Sequence, residues 1–345
     1  MDEKEEEILL AEIDDYLGEE VEAAMTKAAD TVIRTCMQLQ RTENVLIVTD
    51  PRTKIIGQAL YEAAARVSDR VLMVMMPTSH RHGDEPPSPV AEMMRKQDVV
   101  IAPTRYSLTH TRSRMAASRE GTRTATMPGI TLQMFTEGGM TTDFSAMQSA
   151  IAQLGKTIRR RRTVHVKSAG GTDVTFDIAN RWELGDNGIC NRPGQVTNLP
   201  AGKIFAMPKE GTMNGTIVLD GSWDAKLLKD PLTLRVVDGV VTKVSGETAD
   251  DVKALFVEAR NTLKPTDQAS VWTVAEFGFG MNPRSRLIGN VLEDEKVQGT
   301  CYFAIGDNTS LGGNAHCGIH VTGVIRKPSV ELGDLALLDD GDLKL

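Results

Sequence analysis

Short, nearly continuous apolar runs alternate with amphipathic ones over the first 150 residues. Glu43–Asp50 (ENVLIVTD), Arg70–Pro77 (RVLMVMMP), Asp98–Arg105 (DVVIAPTR) and Arg123–Gly129 (RTATMPG) read as buried strands. Between them Val21–Gln40, Thr53–Val67, Val90–Gln97 and Ser107–Gly121 carry helical spacing, the last with Ser107 as its N-cap. Strands apolar on both faces need cover above and below, which predicts a doubly wound parallel sheet. Asp143–Arg160 reads as a connecting helix, after which the period changes. Arg162–Ala179 alternates about a Gly-Gly turn and predicts a β-hairpin; Gly202–Met207, Gly215–Leu219, Leu232–Val237 and Val240–Ser245 read as further strands, with one helix over Thr248–Leu263. The fold class is therefore α/β: an N-terminal doubly wound parallel-sheet domain over 21–158, a β-rich α+β C-terminal domain over 159–345, and an acidic helix over 1–20.

Charge sharpens this division. The chain of 345 residues has a net charge of −8. Met1–Glu20 holds ten acids and one lysine, so the remainder is close to neutral. Leu9, Leu10, Ile13 and Leu17 nonetheless share one helical face, which predicts that this acidic helix docks on the body or on a partner subunit. No apolar run reaches the ~18 residues of a membrane span, and an acidic N-terminus is unlike a signal peptide; a cytoplasmic protein without membrane partners is expected. Cys36, Cys190, Cys301 and Cys317 show no C-x-x-C pairing and read as reduced thiols or ligands. Arg159–Arg162 has no aromatic neighbours, so nucleic acid is not an expected partner. Neither G-x-G-x-x-G nor a P-loop occurs, and no nucleotide is indicated.

Candidate chemistry concentrates in Ala275–Ile325, which holds two of the six histidines and two of the four cysteines. Val271–Phe277, Val297–Ile305 and Ile319–Ile325 read as strands joined by glycine loops, with His320 and Thr322 on one face. Polar groups at period two on adjacent strands build a polar pocket. In the first domain His110 falls where a helix follows a strand's carboxyl end, the place where open α/β sheets hold ligands. His110 and Arg192 are the substrate-binding candidates.

Several long segments, EFGFGMNP, GNVLEDEK, GT-x-x-x-A-I-G-D-N and GG-x-x-x-x-x-I-H, stand in the order found in the aminopeptidase T family of metallopeptidases, which the chain resembles from about Glu43 onward. Asn198–Ser222 and Ala102–Ala117 extend the resemblance. It implies an α/β domain paired with a β-rich metal-binding domain, a homodimer or larger homo-oligomer, a small peptide or other small-molecule ligand, and a divalent metal such as zinc, cobalt or iron that activates water. Carried over position by position, the family's glutamate and histidine are kept at Glu276 and His320. Lys203 stands in place of the first glutamate, Tyr302 in place of a histidine, and Thr322 in place of an aspartate; the catalytic tyrosine falls near Thr309. Glu276, Glu295, Lys203 and Tyr302 are thus the catalytic candidates.

Two arrangements follow. Lys203 replaces the metal's charge by pairing with Glu276, with Tyr302 and Thr322 hydrogen-bonding in place of ligands. Alternatively a single metal sits on Glu276, His320 and His316, with Cys317 or Cys301 nearby. Three functions correspond to them: a metal-dependent hydrolase acting on peptide N-termini; a single-metal enzyme like the related branch of the fold that opens dihydroxypyridine rings; or a non-catalytic relative serving assembly or ligand binding.

Overall fold

The computed structural model of the protein describes residues 18–344. The helix expected over Met1–Glu20 lies outside them except for its last three positions. Two compact units are formed, one from the residues up to Gln148 together with Asp186–Ala201, the other from Ser149–Gly185 and Gly202–Leu345.

The first unit follows the alternation of its sequence: α1 (Glu19–Asp30, continued by a π-helical turn, Thr31–Cys36), β1 (Val45–Thr49), α2 (Lys54–Ala65), β2 (Val71–Met75), α3 (Ser88–Met94), β3 (Val99–Thr104), α4 (Arg112–Arg119), β4 (Arg123–Pro128) and α5 (Leu132–Thr136). All pairings in its sheet are parallel, in the order β2-β1-β3-β4-β7, where β7 is Val196–Asn198. The last strand arrives from well beyond the α/β stretch, so the unit is completed by residues that sequence periodicity placed in the β-rich part. Leu46, Val48, Val100 and Ala102 point to one face and pack with Val90, Met94 and Ala117 of α3 and α4. On the other face α2 lies close on β1. A Cβ on Gly57 would sit 2.9 Å from that of Thr49, so only glycine permits this approach.

Two expectations are corrected here. α4 begins at Arg112 rather than Ser107: Thr111 is the cap, accepting from the Arg114 N–H at 3.2 Å, because Ser107 turns instead onto Thr109. His110 therefore lies in the turn before the helix. And β2 is not buried on both sides. It is the sheet's edge, with Leu72 50% and Met75 52% exposed.

α6 (Phe144–Ile158) carries the chain into the second unit, which holds β5 (Thr163–Lys167), β6 (Asp173–Asp177), β8 (Lys203–Ala206), β9 (Asn214–Leu219), β10 (Ser222–Trp223), β11 (Lys226–Leu227), β12 (Leu232–Val237), β13 (Val240–Ser245), α7 (Ala249–Asn261), β14 (Val274–Gly280), α8 (Val291–Asp294), β15 (Thr300–Gly306), β16 (His320–Arg326), β17 (Ser329–Leu332), β18 (Leu335–Asp339) and β19 (Asp342–Leu343). They form two antiparallel sheets, β11-β10-β16-β15-β14-β8 and β13-β12-β9-β6-β5-β17-β18-β19. The sheets meet through aromatic rings: Phe176 of β6 packs edge-on against Phe277 and Phe303 at 5.2 and 6.0 Å, and Trp182 against Phe279 at 5.9 Å. Among the described residues no helix is long and apolar enough to cross a membrane.

The close seat of α2 on β1 makes Gly57 sensitive. Gly57→Val is expected to cost about 1–3 kcal/mol by forcing helix and strand apart, read as a lower urea midpoint; an unchanged midpoint would show that the helix re-seats freely.

Candidate functional site

Every residue of β14 is buried, yet its third is a carboxylate. The pleat explains how both facts hold. Phe277 and Phe279 point to the sheet interface described above, leaving Glu276, Gly278 and Gly280 on the opposite face. The register brings Lys203 of β8 beside Gly280, Tyr302 of β15 beside Gly278, and Thr322 of β16 beside Ala304 on the same face. The segment after β14, through α8, covers this face and supplies Glu295 and Lys296, both buried.

These side chains form one charged network. Lys203 Nζ donates to Glu276 Oε1 at 3.1 Å and to Glu295 Oε2 at 2.7 Å, with its side chain only 15% exposed. Lys296 Nζ reaches Glu295 Oε2 at 3.2 Å, and Thr322 Oγ1 donates to Glu295 Oε1 at 2.8 Å. The Tyr302 hydroxyl donates to Glu276 Oε1 in a short hydrogen bond. Lys203 also lies 4.7 Å from the centre of the Phe205 ring and 4.9 Å from that of Tyr302, close enough for cation–π attraction. Two ammonium groups meet two carboxylates, and the buried charges balance. Burial alone would raise the Glu295 carboxyl; the charges of Lys203 and Lys296 and hydrogen bonds from Lys203 and Thr322 outweigh it and hold the group far below the usual carboxylate range. Gly278 makes room for the ring, since a Cβ there would fall 2.4 Å from the Tyr302 oxygen.

His320 opens the network to solvent. Its side chain is 37% exposed, with Nε2 at 4.0 Å from Glu276 Oε2 and Nδ1 at 2.9 Å from the Asp307 carbonyl oxygen. His316 does not join it. The Asp307 carboxylate accepts from the backbone N–H groups of Cys317 and Gly318 at 2.8 and 3.0 Å, pinning this turn so that His316 faces solvent, 80% exposed and 3.8 Å from Asp307. Burial raises the Asp307 carboxyl, but hydrogen bonds from Thr309, Gly318 and Cys317 outweigh it and leave the group lowered. The trio Glu276, His320 and His316 is thus not assembled. Burial pushes the Cys317 thiol up and Cys301 well up, away from the thiolate that binds metal. All four cysteines are free and buried.

Whether this face suits a metal is decided by its donors. The space between the Glu276 and Glu295 carboxylates is taken by an ammonium group, and around them stand a second ammonium (Lys296), a phenol, a threonine hydroxyl and a single imidazole (His320). Among the described residues no three His, Cys, Asp or Glu side chains come together to hold an ion. The residues present do not fit one. Lys296 and Asp307, essential to this geometry, were not singled out from the sequence: a lysine behind three acids reads as solvated, and only its burial in the fold shows otherwise. His110 and Arg192 lie in the first unit, where His110 is exposed in its turn and the Arg192 N–H donates to Gln195 Oε1 at 3.2 Å.

The architecture is that of a known class of two-unit proteins. The solved 2,5-dihydroxypyridine dioxygenase from Pseudomonas putida KT2440 shares it with a TM-score of 0.79 over 94% of this chain and 97% of that one, at 19% identity. Wild-type AmpT from Thermus thermophilus follows with a TM-score of 0.66 over 94% and 99%, at 16% identity. Residues 24–345 match the family described as NicX, 2,5-dihydroxypyridine 5,6-dioxygenase, and the chain belongs to that family. A curated relative, the 2,5-dihydroxypyridine 5,6-dioxygenase of Pseudomonas putida, is 25% identical over 200 residues, an alignment spanning 54% of this chain and 55% of the relative, about half its length. The resemblance to aminopeptidase T is therefore one of fold, and the sequence relationship runs to the dioxygenase.

Removing the shared cation should be costly. Lys203→Ala leaves two buried carboxylates facing each other and is expected to lower stability by about 3–5 kcal/mol. Because the Glu295 carboxyl is lowered in the folded state, its contribution is present above the unfolded carboxylate range, near pH 4.3, and is lost as pH falls below it. Urea midpoints should drop on acidification in the wild type and much less in Lys203→Ala; parallel profiles would show that the pair carries no such linkage.

Proposed function

We propose that this chain is a metal-independent member of the dihydroxypyridine dioxygenase family, which binds a small hydroxylated ring compound at the His320 edge of the charged face and acts on it by proton transfer. The single observation that carries this reading is Lys203 Nζ seated between Glu276 and Glu295 at 3.1 and 2.7 Å. A lysine there supplies internally the positive charge that these carboxylates need, and among the described residues no donor set for an ion is left. The chemistry available to the site is that of an imidazole beside a carboxylate that is itself held by a phenol, an arrangement suited to accepting and returning a proton at a ring hydroxyl or carbonyl. The ligand class comes from the family's name; a small peptide, suggested by the fold shared with AmpT, has weaker support because that likeness is structural only.

A second reading, a single-metal ring-opening enzyme, is favoured by family membership and by the approach of His320 Nε2 to within 4.0 Å of Glu276. It requires Lys203 to leave its two partners.

One set of measurements separates the two. Protein purified without a histidine tag should contain no stoichiometric iron, zinc, cobalt or manganese, and should consume no oxygen with 2,5-dihydroxypyridine even after ferrous iron is added. It should still bind hydroxypyridines by calorimetry, with affinity lost in His320→Ala. The triple change Lys203→Glu, Tyr302→His, Thr322→Asp should gain metal. One tightly bound ion in the wild type, lost in His320→Ala, or oxygen consumption restored by iron, would establish the second reading instead.

A further inference from the structure

The loop that joins β15 to β16 is braced more closely than a surface connection requires. Its first residue, Asp307, donates its N–H to the Ile319 carbonyl at 2.6 Å, and its carboxylate accepts from the N–H groups of Thr309, Cys317 and Gly318 at 3.0, 2.8 and 3.0 Å. Asn308 is fully buried and accepts from the Ala315 N–H at 2.8 Å, while Gly313 lies so near that a Cβ there would fall 2.2 Å from the Asn308 side chain. Glu210, in the turn that precedes β9, takes the N–H and the side-chain amide of Asn314 at 2.9 and 3.0 Å. The bracing fixes one group beside the charged face, the Asp307 carbonyl, which stands 2.9 Å from His320 Nδ1. A carbonyl oxygen can only accept, so Nδ1 carries the proton and the neutral imidazole presents Nε2 as a bare acceptor.

Nε2 faces Glu276 Oε2 at 4.0 Å, whereas the hydrogen bonds from Lys203 and Tyr302 both end on Oε1 of the same carboxylate. Two acceptors therefore look at each other across a gap that neither can close. We propose that His320 Nε2 and Glu276 Oε2 form a paired acceptor for a ring ligand that carries two neighbouring hydrogen-bond donors, adjacent hydroxyls being the simplest case, and that Asp307 and Glu210 are the positioning residues that hold it in this state. The inference rests on the ligand reading given above for this face and narrows it. A ring carbonyl or ether oxygen would set a third acceptor against the pair, and an isolated hydroxyl would satisfy one member and leave the other unpaired. Selection thus falls on the donor pattern of the ring, and it is set by a backbone carbonyl that touches no ligand.

Nuclear magnetic resonance reads the tautomer directly. In the full chain labelled with nitrogen-15 at histidine, at a pH where imidazoles are neutral, the His320 ring, assigned by its loss in His320→Ala, should show Nδ1 protonated and Nε2 bare. Asp307→Asn takes one carboxylate acceptor from the loop and should give a mixture of tautomers with an unchanged circular dichroism spectrum. Glu210→Ala should act in the same direction, and Glu210→Gln, which keeps an acceptor for the Asn314 N–H, should stay close to the wild type. By calorimetry catechol should bind about ten-fold or more tightly than 2-methoxyphenol, and the ratio should shrink in Asp307→Asn. A wild-type His320 protonated at Nε2 overturns the proposal. Equal affinity for catechol and 2-methoxyphenol, or binding of 2,5-dihydroxypyridine without binding of catechol, overturns it while leaving the ligand reading of the face in place. If none of the three rings binds, that reading fails and the proposal fails with it.

Discussion

The arrangement of the second unit rests on keeping two carboxylates charged where water is scarce. Glu276 sits on a strand with no exposed residue, and Glu295 is buried at the end of the helix in the covering segment. Such groups persist only with cations and hydrogen-bond donors at hand. Among the described residues Lys203 is the one group that hydrogen-bonds to both. Its seat at the start of β8, the rings of Phe205 and Tyr302 beside it, and the absence of a side chain at Gly278 all follow from the need to hold an ammonium at that point. Lys296 completes the balance on the Glu295 side, so the network is neutral as a whole and its parts depend on one another.

A shared scaffold does not oblige a shared chemistry. The sheet that carries this network is continuous with an aromatic interface on its other face, and that interface positions β14 and β15 whatever the polar face contains. Substitution of a few polar residues can therefore exchange a metal-binding arrangement for an internal salt bridge without disturbing the packing below. This separation between a supporting face and a chemical face accounts for a fold that this chain shares with a 2,5-dihydroxypyridine dioxygenase and with AmpT at identities below 20%.

Much of this was legible in the sequence, for identifiable reasons. The parallel sheet announced itself because β1 and β3 are apolar at nearly every position and alternate with helical spacing, and the β-rich part because its hairpin alternates about a Gly-Gly turn. β7 was not legible: three residues, Val196–Asn198, have no period, and only long-range pairing with β4 makes them a strand. β2 read as buried because composition alone cannot tell an interior strand from an edge one. At the charged face, Lys203, Glu276, Tyr302 and Thr322 could be aligned through the resemblance to aminopeptidase T, carried over position by position, whereas strand periodicity by itself placed only His320 and Thr322 on one side. His316 was grouped with His320 as a ligand of the alternative single-metal site, but Asp307 fixes the intervening turn through backbone N–H groups that no sequence pattern reveals.

The most direct test of the account is crystallographic. Crystals grown with excess manganese and measured for anomalous scattering should show no peak between Glu276 and Glu295, with density for Lys203 Nζ there instead. A well-occupied anomalous peak between the two carboxylates, with Lys203 turned away, would contradict it.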